Sequence, residues 1–347
     1  MKPSNILLRI GSFLLAGLGS AAFVPSSNYN ASIPRWEWWP NPGPLANGDK
    51  GQYLNLSSGV DIWYTTFGKH SSRHAPVLLL HGGTGNSNQM YLQANKLAET
   101  RQVILQEYVP TPASKPDAAQ LMYTSTRGEG RSPFVNFTQF HYDDFTRDAI
   151  AILDHLNIPR VAVVGWSDGA IVGLDLAMNY SSRIDRVFAH GANPQANMSI
   201  PGLNDPIINS DSGSLDSDFA TNGTTYSVNG RSLRKRDVDT YTCESLSPLP
   251  GNCSAMEDGV ADMWNTEPTW GPEALAKVKC PVWIVDGDHD TSVERNQADA
   301  MAAWIPFAGQ LILPQVGHAA LLEDSKFFNF AMEYFLDMKF DGVLPYY

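Results

Sequence analysis

Gly165-Trp166-Ser167-Asp168-Gly169 constrains this chain more than any other stretch. It follows the apolar run Val161-Ala162-Val163-Val164 and precedes a helical pattern over residues 170–180. The pattern predicts strand, sharp turn and helix, with a serine at the apex. A serine there sits on a strained backbone, its hydroxyl projecting from the carboxyl end of a strand. The flanking glycines let strand and helix approach without colliding side chains. The start of the helix adds free N–H groups and a partial positive charge beside the hydroxyl. Such a serine is placed to attack a carbonyl carbon. A bare G-x-S-x-G recurs by chance; the strand–turn–helix context is what gives it weight.

A serine nucleophile of this kind needs, later in the chain, an acid and then a histidine. Downstream, the apolar strand Val282-Trp283-Ile284-Val285 ends in Asp286-Gly287-Asp288-His289-Asp290. After that, Leu311-Ile312-Leu313-Pro314 leads into Gln315-Val316-Gly317-His318. Both candidates fall just past the end of a predicted parallel strand, the edge at which open α/β sheets bind ligands. His318 is the candidate base, taking the Ser167 proton and returning it to the leaving group. Three carboxylates compete to orient it. Asp286 belongs to the strand end and Asp288 to the turn, so Asp290, three residues past the glycine, is favoured.

Val77-Leu78-Leu79-Leu80 reads as a short buried strand, followed by His81-Gly82-Gly83-Thr84-Gly85. Glycines at that point let backbone N–H groups turn toward a carbonyl oxygen. The expected oxyanion hole combines the N–H of Asp168 with that of Gly83 or Thr84. The loop lacks the Lys-Ser/Thr and the G-x-G-x-x-G spacing of a phosphate cradle.

Together these residues resemble the α/β-hydrolase superfamily, over roughly residues 50–192 and 260–340. In that superfamily HGG follows strand 3, the serine elbow strand 5, the acid strand 7 and the histidine strand 8. Arg127-Gly128-Glu129-Gly130-Arg131-Ser132 resembles its R-G-x-G-x-S turn after strand 4, although Ser125 stands where an aspartate is usual. The resemblance implies an eight-stranded, mostly parallel sheet flanked by helices, with a lid inserted after strand 6. It also implies catalytic Ser167, Asp290 and His318, and no cofactor. Dehalogenases and epoxide hydrolases of this superfamily use a carboxylate nucleophile, whereas the apex here is serine. Proline iminopeptidases continue HGG with Pro-Gly and carry G-G-S-W-G, unlike this chain. Asp168 reads as a helix N-terminal charge, or else as a group that repels anionic substrates.

With 347 residues, 43% hydrophobic, the chain is long enough for one α/β core plus an insertion. A net charge of −12 argues against nucleic acid as a partner, because neutralising phosphates needs clustered Lys and Arg. Residues 1–22 read as a secretory signal. Lys2 and Arg9 form the basic region, residues 10–18 are apolar, and Ser20-Ala21-Ala22 supplies small residues for cleavage after Ala22. The apolar stretch is shorter than the roughly 20 residues that span a bilayer, so no stable membrane span is expected. N-x-S/T sequons at Asn30, Asn55, Asn136, Asn179, Asn197 and Asn222, with a seventh at Asn252, suit an extracellular glycoprotein. Cys243 and Cys253, ten apart in a loop-rich region, are expected to pair, and Cys280 to be a core thiol. His289 among three aspartates is better read as part of an acid-bearing loop than as a metal site.

Residues 23–50 form a Pro- and Trp-rich strap, with Trp36, Trp38 and Trp39 expected against the outside of the core. The core then covers residues 51–192 and 271–347, and the lid residues 193–270. The core opens on a hairpin around Ser57-Ser58-Gly59, with a helix over residues 88–100 after the HGG loop and another over residues 142–159 feeding strand 5. Residues 108–121 carry three prolines and interrupt the path to the RGEGRS turn. In the lid, residues 209–230 are polar and expected to be mobile, and residues 256–264 helical. Met198, Met263, Trp264 and Trp270 belong either to an acyl pocket or to the lid's own core. Arg234-Lys235-Arg236 reads as a solvated basic run. The chain is thus expected to be a secreted serine hydrolase cleaving an ester or lactone of a small neutral or apolar substrate, as a monomer or homodimer. Amide hydrolysis, and ligand binding with little turnover, are the alternatives.

Overall fold

The computed structural model describes residues 34–37, 40–56, 61–107, 129–132, 139–196, 225–228, 231–234 and 241–340. The segment 1–22 expected to be a signal, Trp38, Trp39, residues 108–121, Ser125, Arg127, Gly128, Met198, Lys235, Arg236 and the sequons at Asn30, Asn136, Asn197 and Asn222 lie outside them.

In chain order the strands are β1 (Gln52–Asn55), β2 (Asp61–Phe67), β3 (Val77–Leu80), β4 (Val103–Gln106), β5 (Val161–Trp166), β6 (Ile184–His190), β7 (Thr225–Val228), β8 (Arg231–Arg234), β9 (Val282–Gly287) and β10 (Ala308–Leu313). The helices are α1 (Tyr91–Leu97), α2 (Tyr142–His155), α3 (Asp168–Asn179), α4 (Cys243–Leu246), α5 (Cys253–Trp264), α6 (Pro272–Leu275), α7 (Arg295–Trp304), α8 (Ala320–Glu323) and α9 (Ser325–Asp337). Eight strands form one sheet in the order β1-β2-β4-β3-β5-β6-β9-β10, and among the described residues β7 pairs only with β8. The β1–β2 and β2–β4 pairs are antiparallel; every later pair of the large sheet is parallel. β9 and β10 are therefore its seventh and eighth strands.

The central strands are continuous apolar runs because both faces of the sheet are covered. Side chains alternate between the two faces. Leu78 and Leu80 of β3, with Val161 and Val163 of β5, enter the layer under α2 and α3. Val77, Leu79, Ala162 and Val164 enter the opposite layer with α1 and α9. From β3 the chain runs to β4 on one side, then returns to β5 on the other. That reversal opens a crevice at the carboxyl ends of β3 and β5, where the HGG loop and the serine elbow meet.

The helix expected over residues 88–100 is shorter. A 3-10 turn, Ser87–Met90, precedes α1 because Asn86 caps it, its side chain accepting from Asn88 N while Gln89 reaches back to Asn86 N. In the insertion after β6, the described part of the segment expected to be mobile forms the β7 strand. The sulfurs of Cys243 and Cys253 stand at disulfide distance. Met256, Val260 and Met263 of α5 bury with these two cysteines against the α2–α3 layer, so Met263 belongs to packing rather than to a pocket. Closing a loop of that length is worth about 2–3 kcal/mol on the chain-entropy model. Cys243→Ser should therefore lower unfolding free energy by that amount, and reductant should erase the difference between variant and wild type in thermal melts. Cys280 is buried, and burial pushes its thiol up to about 12. Among the described residues no helix is long and apolar enough to cross a membrane.

Candidate active site

β5 runs to Trp166, and α3 starts at Asp168; Ser167 alone makes the turn, at φ 54 and ψ −122. A side chain at that dihedral costs about 1–3 kcal/mol and persists only where its surroundings enforce it. Here they do. Ser167 N donates to His190 O at 2.8 Å, and Ser167 O takes the first helical bonds from Ala170 N and Ile171 N, at 2.8 and 3.1 Å. A Cβ on Gly165 would stand 2.2 Å from Gly169 O, and one on Gly169 2.1 Å from Leu80 O, so both elbow glycines are sterically required. The serine itself is half-buried and lies against Gly82 of the HGG loop.

His318 lies in the loop after β10, and its ring lies beside that of Trp166, 5.9 Å between centroids. Its Nδ1 donates to Asp290 Oδ2 at 2.7 Å, which leaves Nε2 as the unprotonated nitrogen. Their side chains are 9% and 1% exposed. Burial alone would lower the His318 imidazole. The Asp290 charge and hydrogen bond, with Asp168 and Glu323 beyond, outweigh it and hold the imidazole above its ordinary value. For Asp290, burial pushes up, but His318 and the hydrogen bonds around it hold the carboxylate well below its usual range. Asp288 closes the turn by accepting from Val316 N at 3.3 Å and from His289 Nδ1 at 2.7 Å, and Asp286 lies buried near the end of β9.

The backbone of His318 is held from three directions. Its carbonyl accepts from Trp166 Nε1 at 2.7 Å and from His190 Nε2 at 3.0 Å. Glu323 accepts from Gly317 N at 2.6 Å and Ala319 N at 3.2 Å, on either side of it. Gly191, at φ 66, leaves room for the ring, since a Cβ there would come within 2.8 Å of His318 Cε1. Trp36 of the strap stacks on His289 at 3.8 Å, so the N-terminal segment backs the acid loop.

In the HGG loop Thr84 adopts φ 55, and its N–H is taken by the buried Glu129 carboxylate. Of the two residues expected to share the oxyanion role, Thr84 is thereby engaged. The Gly83 N–H meets no acceptor among the described residues. Asp168 does stand in the first turn of α3, as its reading as a helix N-terminal charge implies. Its side chain caps nothing in α3 and is buried. Tyr142 OH donates to its Oδ1 at 2.8 Å, and Trp264 Nε1 to both oxygens, at 2.9 and 2.8 Å. Burial raises Asp168 to about 6, against the pull of those two donors, so it is ionised at neutral pH. Trp264 also lies over Gly83, where a Cβ would come within 2.6 Å of its ring.

A model of the alpha/beta hydrolase fold matches residues 75–325, well over half of the chain. The chain belongs to the alpha/beta hydrolase family. It is 25% identical over 219 residues to the human serine hydrolase BPHL, a match covering 60% of this chain and 66% of that protein, just under two thirds of its length. Among solved structures it resembles a hydrolase from Pseudomonas aeruginosa PA01, with a TM-score of 0.56 and 19% identity over 84% of this chain and 100% of that one. It also resembles the enol-lactonase from Burkholderia xenovorans LB400, with a TM-score of 0.53 and 16% identity over 82% of this chain and 100% of that one.

For this alpha/beta hydrolase, sequence reasoning placed the serine elbow, the acid loop and the histidine loop, and the structure brings them to one sheet edge. It missed Glu129, Glu323, Gly191 and the Tyr142–Asp168–Trp264 cluster. Only Glu129 carried a signal, as the acidic variable residue of the RGEGRS turn. Among the described residues no group of three or more His, Cys, Asp and Glu is arranged to hold a metal ion.

Proposed function

We propose that this alpha/beta hydrolase is a secreted serine hydrolase that cleaves a carboxylic ester or lactone of a small neutral or apolar substrate. One observation carries the reading. Ser167 hangs on His190 through its own N–H, and His190 and Trp166 both hold the His318 carbonyl, so nucleophile and base share one short network of bonds. Ser167 Oγ attacks the carbonyl carbon, and its proton passes to His318 Nε2. The carbonyl oxygen becomes an oxyanion facing the N–H groups of Gly83 and Asp168. Collapse expels the alkoxide, which takes the proton from His318 and leaves an acyl-enzyme. Water then attacks the acyl carbon and gives its proton to His318. The acid departs as that proton returns to Ser167. Asp290 holds the tautomer throughout. The signal-like N-terminus, the sequons and the cysteine pair support secretion.

The test is fluorophosphonate labelling of the purified protein, with the labelled peptide mapped by mass spectrometry, beside turnover of p-nitrophenyl esters of increasing acyl length. Label on Ser167 with ester turnover supports the reading. Folded protein that takes no label would overturn it in favour of a ligand-binding role.

Two further outcomes follow from the site's electrostatics. Protonated His318 is no base, so kcat/KM should fall as pH drops, with a midpoint above the ordinary 6.5 of histidine, read from a pH profile. The Asp168 carboxylate beside the nucleophile disfavours an anionic acyl group by on the order of 1–2 kcal/mol at an effective dielectric of about 20. A p-nitrophenyl hemisuccinate should therefore be turned over roughly five- to thirtyfold less efficiently than the butyrate. Equal rates would remove Asp168 as a selector.

A further inference from the structure

We propose that Asp286 is a standing carboxylic acid that donates its proton to Asp290, and is thereby a positioning residue for the carboxylate that orients His318. Asp286 lies in β9, one residue before its end, 2% exposed. Its carboxyl group and that of Asp290 are hydrogen-bonded to one another. Carboxylate oxygens only accept, so such a bond requires a proton on one partner. Two ionised carboxylates at hydrogen-bond distance inside the protein would also repel strongly.

The donors around the pair decide which oxygen carries that proton. Asp290 already accepts from Ser292 N at 2.7 Å, Val293 N at 3.0 Å and His318 Nδ1 at 2.7 Å. Among the described residues, Asp286 accepts only from Gly287 N, at 2.9 Å. The anion belongs where three donors converge, on Asp290, and the proton belongs on Asp286.

The other charged groups in the neighbourhood leave that assignment standing. Arg295, at the start of α7, favours an anion on Asp286 but points its Nη2 at Asp288 O, 3.0 Å away. Asp288 and His289 pair with each other. His190 on β6 is buried and driven down to about 4 by that burial, hence neutral, and Glu323 on α8 faces the His318 loop. Burial first, then the Asp290 charge, push the Asp286 carboxyl well above the usual carboxylate range. At this point the acid and histidine loops are jammed together, since a Cβ on Gly287 would stand 2.5 Å from Gly317 O. A donor held at this packed strand end therefore helps to fix the angle at which Asp290 meets His318.

The proton can be tested without any catalysis. A carboxyl that stays protonated when folded and ionises when unfolded makes stability fall as pH rises between those two pKa values. Urea unfolding of wild type and Asp286→Asn, from pH 5 to 8, should show the wild-type unfolding constant rising against the variant's by up to about tenfold per pH unit. Parallel curves would overturn the proposal. The positioning role rests on the hydrolase reading above and has its own readout. Asp286→Leu removes the donor. It should lower kcat on the best p-nitrophenyl ester about ten- to a hundredfold with KM little changed, and move the acid midpoint upward. Asp286→Asn keeps an N–H donor at the same place, so it should recover most of the lost kcat. Full kcat in Asp286→Leu, or Asp286→Asn as slow as Asp286→Leu, would overturn the role. If Asp286→Leu fails to fold, the Asp286→Asn stability slope decides the proposal. A protein that hydrolyses nothing but shows that slope keeps the proton assignment and loses the hydrolase reading.

Discussion

Ser167→Ala is expected to cut kcat on the best ester substrate by about 10⁵- to 10⁶-fold while leaving urea unfolding within about 0.5 kcal/mol of wild type. Alanine meets the same backbone strain at φ 54 and fills the same half-buried space, so the fold has no reason to respond. The chemistry has every reason to, because the proposed acyl-enzyme forms on the Oγ. His318→Ala should lose a similar factor, and the Ser167→Ala/His318→Ala double variant should be no worse than either, since the pair acts as one unit. Asp290→Ala should cost less, about 10⁴-fold, because the serine and the histidine both remain without it. Steady-state kinetics on rigorously separated variants reads all four. Ser167→Ala retaining more than a tenth of wild-type kcat would mean that another group attacks the substrate.

Gly169→Ala is expected to remove about 3 kcal/mol or more of stability, a large share of the 5–15 kcal/mol that holds a folded domain. The added methyl meets backbone: Leu80 O at 2.1 Å and His81 O at 2.6 Å. Neither can yield without separating α3 from β3 and so dismantling the contact between elbow and HGG loop. Gly173, one turn further along α3, supplies the control. A methyl there meets only Val163 Cγ1 at 3.1 Å and Val187 Cγ1 at 3.2 Å, side chains that can shift. Gly173→Ala should stay within about 1 kcal/mol of wild type, the helix gaining some of what packing loses. Denaturant melts of the two variants give the comparison. Equal, small losses would mean that the elbow is less tightly enforced than its geometry shows.

The parts of this molecule legible in its sequence are those written by local rules. β3, β5 and β9 are apolar runs ended by Gly or by a polar cluster, and each ending was readable within six residues. Chain order then linked Ser167, Asp290 and His318. What stayed hidden depends on contacts between distant segments. Nothing near Asp168 announces that its carboxylate will be buried; that follows from Tyr142, 26 residues before it, and Trp264, 96 residues after it. Glu129 reaches Thr84 across 45 residues. The proton between Asp286 and Asp290 is invisible for another reason: sequence names the acids but not the donors around each. The insertion was the least legible part, because Ser-, Asp- and Gly-rich stretches carry little periodicity, and the β7–β8 ribbon went unforeseen there.

The loop carrying His318 is irregular in backbone yet bolted down at three consecutive residues, Gly317, His318 and Ala319, by groups from β5, β6 and α8. Such a segment should behave in amide exchange like a strand interior, with the Gly317 and Ala319 protons among the slowest of any loop in the molecule. Freedom to admit and discharge a substrate then has to be sought on the opposite wall. There Trp264 of α5 donates to the Asp168 carboxylate and lays its ring over Gly83. The base would then be carried on a fixed floor, and adjustment to a substrate would fall to the partly exposed Trp264 side chain that faces it.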